Sequence, residues 1–175
     1  MSDILAPQYL VSIVLLTSPL RYPETSWWHA LAAFVFITGL PMLALWWMRR
    51  TGRVGDRHVS VRQQRTPLLL LSLASLLTGL TLLLTTGASA GLVRETLAVL
   101  AGLLLCLVVT LKWKVSVHAA VGFCTGMILL PVHAAVAVAS VICWSRIRVK
   151  GHTESQVLGG TLIGLVVHYG LTVLA

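Results

Sequence analysis

Apolar residues run almost unbroken through four stretches of the chain, 28–48, 67–87, 91–111 and 156–174, with polar loops between them. A helix of about 20 apolar residues is long enough to cross a hydrocarbon core of about 30 Å, so each stretch is predicted to be a membrane-spanning helix. A fifth run, 4–20, is shorter and bounded by prolines, and spans only if it continues into its flanks. Trp27, Trp28, Trp46 and Trp47 bracket the second run as an aromatic belt would at two interfaces. Pro41 is predicted to kink that helix, because it removes a backbone donor. Gly160-x-x-x-Gly164 permits a close helix contact in the last run.

The region 119–143 admits two readings. It is long enough for one spanning helix, yet "MILLPVHAAV" puts Pro131 and His133 in its middle. Two helices of about a dozen residues each, turning near Pro131, are the other reading. Hydropathy alone does not choose between them.

Composition places the chain in the membrane class: 57% of its 175 residues are hydrophobic and only 10% charged, with a mean hydropathy of +0.91. No cleavable signal peptide is expected, since the first apolar run has no basic segment before it. The cysteines, Cys106, Cys124 and Cys143, stand singly in apolar runs and read as buried thiols. The net charge of +8 comes partly from a shortage of acids: Asp3, Glu24, Asp56, Glu95 and Glu154 are all the carboxylates. No two of them lie within a helical turn, so the paired carboxylates that hold magnesium are missing and neither metal nor cofactor is expected.

Of 13 Lys and Arg residues, 11 fall in or beside the polar loops 49–66, 112–117 and 147–155. Cytoplasmic loops carry such charge as a topology signal, which predicts a cytoplasmic face for these loops. The same cations suit an anion site at the membrane surface, and the two readings are compatible. Nucleic acid is not an expected partner.

The first loop holds Arg62 and Arg65, three apart, whose guanidiniums a helical turn would aim the same way, as phosphate oxygens require. The second holds Ser116 and His118 where a new helix begins and backbone N–H groups attract anions. In the third, Arg146 precedes His152 by six residues. Taken together, the loops resemble in order and spacing the signature motifs of the type-2 phosphatidic acid phosphatase superfamily, the lipid phosphate phosphatases and vanadium haloperoxidases. The third motif of that family is Ser-Arg, five residues, His, three residues, Asp. Here Ser145-Arg146, His152 and Gln156 occupy those places, with Gln in place of Asp, and Val157 and Gly160 follow. "VSVH" keeps Ser116 and His118 of the second motif without its proline and glycine; the first has His58 at the lysine position and "RTP" at its end.

The resemblance covers about residues 56–160 and implies a metal-independent mechanism. His152 would attack phosphorus to give a phosphohistidine, and His118 would protonate the leaving oxygen. Arg62, Arg65, Arg146 and Ser116 would bind the phosphoryl oxygens, and Gln156 would orient His152. The expected fold is all-α: a polytopic membrane bundle of about six helices, forming a single domain over residues 1–175. The expected function is hydrolysis of a lipid phosphate or isoprenoid (di)phosphate in a bacterial-type cell membrane. The alternatives are a lipid-phosphate binding protein without turnover, or a phospho- or prenyl-group transferase using the same anion site. A shared phosphate requires the chain to reverse near Pro131, because one straight helix of 25 residues, about 37 Å long, would set His118 and His152 on opposite sides of the bilayer, roughly 30 Å apart.

Overall fold

The computed structural model describes residues 7–52 and 62–173, the side chains of 62–69 and 171–173 excepted. Among the described residues every regular element is helical: α1 (Pro7–Leu16), α2 (Ser18–Arg21), α3 (Trp27–Phe34), a π-helical turn (Val35–Gly39), α4 (Leu40–Arg50), α5 (Arg62–Thr85), α6 (Ala90–Lys112), α7 (Val117–Leu129), α8 (Val132–Arg148) and α9 (Glu154–Val173). The all-α expectation stands. Two helical stretches among these residues are long and apolar enough to cross a membrane, Trp27–Arg50 and Ala90–Lys112; Pro7–Leu16, Leu70–Thr85 and Val117–Leu129 are apolar but shorter. The chain divides into two compact units, Leu15–Thr96 on one side and Met1–Val14 with Leu97–Ala175 on the other.

In the unit Leu15–Thr96, the first apolar run is not one helix. It stops at Leu16 and restarts as α2, with Pro19 in the first turn, where a missing N–H costs nothing. The kink expected at Pro41 takes the form of the π-turn just before it. Leu40 N–H bonds to Val35 O, five residues back, so the carbonyl of Phe36 loses its usual donor. Ser75 Oγ of α5 supplies a replacement by donating to Phe36 O. Gly79 lets the two helices approach there, since a Cβ on it would come within 2.6 Å of Phe36 Cβ.

The same unit contains a buried ion pair. Arg21 donates from Nε (3.1 Å) and Nη2 (2.7 Å) to Glu95 Oε1, and from Nη1 to Thr17 Oγ1 (2.6 Å). Glu95 is only 4% exposed. Tyr22 covers Gly91, where a Cβ would overlap its ring. Burial first, and then the Glu95 carboxylate, push the Tyr22 phenol above its usual pKa. Ser89 caps α6 by accepting from Leu92 N–H and shares a hydrogen bond with Thr25.

In the other unit the chain reverses at Pro131. Leu130 (φ −129°, ψ 155°) and Pro131 (φ −57°, ψ 148°) are extended, as a proline and the residue before it prefer. At 1.5 Å per residue, the 13 residues of α7 reach about 20 Å and the 17 of α8 about 25 Å. They run antiparallel: Gly126 packs on Ala135 near the turn and Gly122 on Ile142 further from it. α9 lies parallel to α7, with Gly160 against Ser116 and Ala119 and Gly164 against Ala120 and Phe123. A Cβ at either glycine would overlap a carbonyl oxygen of α7, so the small residues foreseen in that pattern set the helix approach. The consequence is positional: the start of α7, the end of α8 and the start of α9 meet at one end of the unit.

Candidate functional site

At that end, α8 closes in a Schellman arrangement. Gly151 N–H bonds to Arg146 O (3.2 Å) and Lys150 N–H to Ile147 O (2.9 Å), which satisfies carbonyls that the last helical turn leaves over. The left-handed position is usually glycine, yet here it is Lys150, with φ +51°. Arg146, in the last turn of α8, is 6% exposed, and its Nη2 lies 3.5 Å from where a Gly151 Cβ would stand. The guanidinium is thus held against the backbone that leads into His152.

Two residues on, Thr153-Glu154-Ser155-Gln156 forms a capping box. Thr153 Oγ1 accepts from Gln156 N–H (3.4 Å), and Gln156 Oε1 accepts from Thr153 N–H (3.2 Å). The same Oε1 lies 3.2 Å from His152 Nδ1. A backbone N–H only donates, so the Gln156 atom it meets must be the amide oxygen. His152 Nδ1 faces that oxygen and must therefore carry the hydrogen. The lone pair of the neutral ring then resides on Nε2. One glutamine side chain caps a helix and selects a histidine tautomer. The T-x-x-Q pattern that announces the cap is plain in the sequence at Thr153 and Gln156.

Ser116 starts α7. It is fully buried, its Oγ accepts from Ala119 N–H (3.4 Å), and its own N–H donates to Gln156 O (3.1 Å). Expected to help bind phosphate through its hydroxyl, Ser116 is engaged as a cap and as a strut to α9. His118, half-buried, follows in the first turn of α7. Trp113 packs against Gly159 and Lys114 Nζ donates to Gly151 O (2.8 Å), so the 113–116 segment is fastened to both sides of His152. Lys114 is thereby bonded to the turn that leads into His152.

The structure therefore brings His118, Ser116, Arg146, His152 and Gln156 to one end of one unit. Parallel α7 and α9 both start there, and their N-terminal dipole ends add to the positive potential of the cations. Arg62 and Arg65 fall in the first turn of α5, but their side chains, like Asp56 and His58 altogether, lie outside the described residues. The remaining histidines stand apart from this group in character. His29 bonds Ser26 Oγ (2.8 Å) and Thr86 Oγ1 (3.2 Å), His133 is exposed near the Pro131 turn, and His168 meets Tyr169 edge-on.

An open groove of about 470 Å³ on α5, lined by Leu77, Thr78, Thr81, Leu82 and Thr85, contains none of the candidate residues. Its threonine hydroxyls donate to carbonyls of their own helix. Among the described residues there is no group of three or more His, Cys, Asp or Glu side chains placed to hold a metal ion. No family model, curated protein or solved structure matches the chain.

Proposed function

We propose that this protein is a polytopic membrane phosphatase, a divergent relative of the type-2 phosphatidic acid phosphatases, that hydrolyses a lipid phosphate or isoprenoid (di)phosphate through a phosphohistidine. The observation that carries the reading is His152. Its Nδ1–H is held by Gln156 Oε1 at 3.2 Å, in a turn flanked by Arg146 and by the starts of α7 and α9. A neutral imidazole with its lone pair on Nε2 is the form a nucleophilic histidine requires.

In the first step Nε2 forms a bond to phosphorus while the bond to the leaving oxygen breaks. The electron pair goes to that oxygen and a proton from His118 neutralises it. In the second, His118 takes a proton from water, the water oxygen bonds to phosphorus and the P–N bond breaks, freeing phosphate and His152. Arg146 and the helix N-termini would stabilise the charge on the equatorial oxygens, with Arg62 and Arg65 as further guanidiniums. The apolar helices support chemistry at a bilayer surface, and the clustered cations support a cytoplasmic face for it.

The test is phosphate release by purified protein in detergent over polyprenyl and glycerolipid phosphates, with EDTA present. Release should persist in EDTA, and His152→Ala should lower kcat about 10³-fold or more. Near-native release by His152→Ala would end the phosphohistidine reading, and strict magnesium dependence would favour a transferase. A phosphate-binding protein without turnover is the second reading. The observation favouring it is Gln156, whose amide orients the ring but supplies no negative charge to an imidazolium. Binding of substrate without release would decide for it.

A further inference from the structure

The geometry points to Lys114 as a positioning residue for the nucleophile: its ammonium holds the carbonyl of Gly151 and so fixes the backbone that presents His152. This rests on the phosphohistidine reading and adds to it a residue that the motif pattern does not contain.

His152 is restrained at three places. Its ring is held by Gln156 Oε1 (3.2 Å), and the backbone beyond it by Ser116 N–H on Gln156 O (3.1 Å). The backbone before it is held by Lys114 Nζ on Gly151 O (2.8 Å). The last bond closes the loop from the α7 side, since Lys114 precedes the α7 cap, Ser116, by two residues. It is also the one of the three made by a formal charge, and charge-assisted hydrogen bonds are shorter and stronger than neutral ones. The Schellman turn consumes the N–H of Gly151 on Arg146 O, while the carbonyl of Gly151 accepts from Lys114.

Lys150 and Gly151 form a sharp turn, with Lys150 in a left-handed conformation that side chains resist. Two backbone bonds of the Schellman turn hold it from the α8 side, and Lys114 adds a restraint from the α7 side. An ammonium has three N–H donors, and Gly151 takes one of them. The charge therefore stays at the rim of the site while the clamp holds. A displacement of His152 by about 1 Å is enough to cost about 100-fold in rate, so the clamp acts on the chemical step more than on binding.

The experiment compares the full-length wild type, Lys114→Met and Lys114→Arg in the same detergent. Phosphate release gives kcat and KM, and ¹⁵N spectra of the histidine rings, with His152 assigned by its loss in His152→Ala, give the tautomer. Lys114→Met should lower kcat about 10- to 100-fold, leave KM within about threefold, and mix the two tautomers of His152. Lys114→Arg, which still donates to a carbonyl, should recover most of kcat and the single tautomer. An unchanged kcat and spectrum in Lys114→Met, or a rise in KM alone, would overturn the proposal and leave Lys114 a substrate guide. Lys114 is exposed, and if the Met variant nevertheless unfolds, Lys114→Ala, which also lacks a donor, gives the same comparison. If the wild type releases no phosphate from any substrate, the phosphatase reading fails by itself. The spectra then decide whether Lys114 positions His152.

Discussion

Within Leu15–Thr96, Arg21 sets two donors on one oxygen of Glu95, a third on Thr17, and lies over the Tyr22 ring at 5.8 Å. From Leu97 to the end of the chain the balance is different: Lys112, Lys114, Arg146, Arg148 and Lys150 are set against Glu154 as the only carboxylate. The first centre neutralises itself and sits in helix packing. The second gathers five Lys and Arg residues, two helix N-termini and two histidines at the end of a tight hairpin, with Glu154 as the one carboxylate from Leu97 onward. A buried ion pair that closes on itself is architecture. A cationic end with a tautomer-selected imidazole is what the proposed phosphatase would need to receive an anionic substrate.

This contrast breaks if the two centres respond alike to mutation. Glu95→Gln leaves Arg21 with a weakened partner in a buried setting, and removing one member of such a pair costs about 3–5 kcal/mol. Arg21 keeps some exposure, so the expected loss is about 3 kcal/mol, read as a large fall in thermal midpoint. Phosphate release per folded molecule should be unchanged. The pair Arg21→Met with Glu95→Leu should lose less than either single change, because no lone charge remains buried. A fall in kcat at constant midpoint would move Glu95 into the chemistry.

Gln156 sharpens the comparison from the other side. Gln156→Ala removes the capping box, worth about 1 kcal/mol, and releases the ring of His152, which should lower kcat by about 100-fold. Gln156→Glu keeps both acceptor bonds and adds a charge beside Nδ1. A neighbouring carboxylate favours the imidazolium and raises the pKa of the histidine. The nucleophile must be neutral, so activity is lost as pH falls through that raised pKa, and the acid limb of kcat/KM moves to higher pH. Each unit of that shift corresponds to about 1.4 kcal/mol. An acid limb that does not move would mean that the side chain of residue 156 acts only as a cap.

Local chemistry favoured the reversal, one of the two readings left open: Pro131 lacks an N–H and disfavours helix at Leu130, which is extended. The same holds for Gly160 and Gly164, whose spacing places both on one helix face. The π-turn was half legible. Pro41 announced a disturbance, but Ser75, which repairs it, is 39 residues away from Phe36. Arg21 and Glu95 are 74 residues apart and Lys114 and Gly151 are 37 apart. No periodicity or motif connects such pairs, and only the packed helices bring them together. In the candidate site the motif residues His118, Arg146, His152 and Gln156 were legible as types. What fixes their geometry was not: a cap, a left-handed lysine and an ammonium on a carbonyl.

Lys150 offers the smallest effect and the one whose two signs should differ. Its φ of +51° is a conformation that an L side chain holds at a cost of about 1–2 kcal/mol. Lys150→Gly removes that cost, and the added freedom of the unfolded glycine takes back about 0.4–1 kcal/mol. The variant should therefore be more stable by up to about 1.6 kcal/mol, a gain of a few degrees in midpoint. It also removes a charge from the cationic end. If that end receives an anion, KM should rise by about two- to threefold at low salt, and the difference should fade as ionic strength shortens the Debye length to below about 10 Å. A gain in stability with a salt-sensitive loss in affinity is what a strained residue kept for its charge would show. Stability gained with KM unchanged at every salt concentration would remove Lys150 from the anion's path, leaving Arg146 and the helix N-termini as the groups proposed to hold the phosphate.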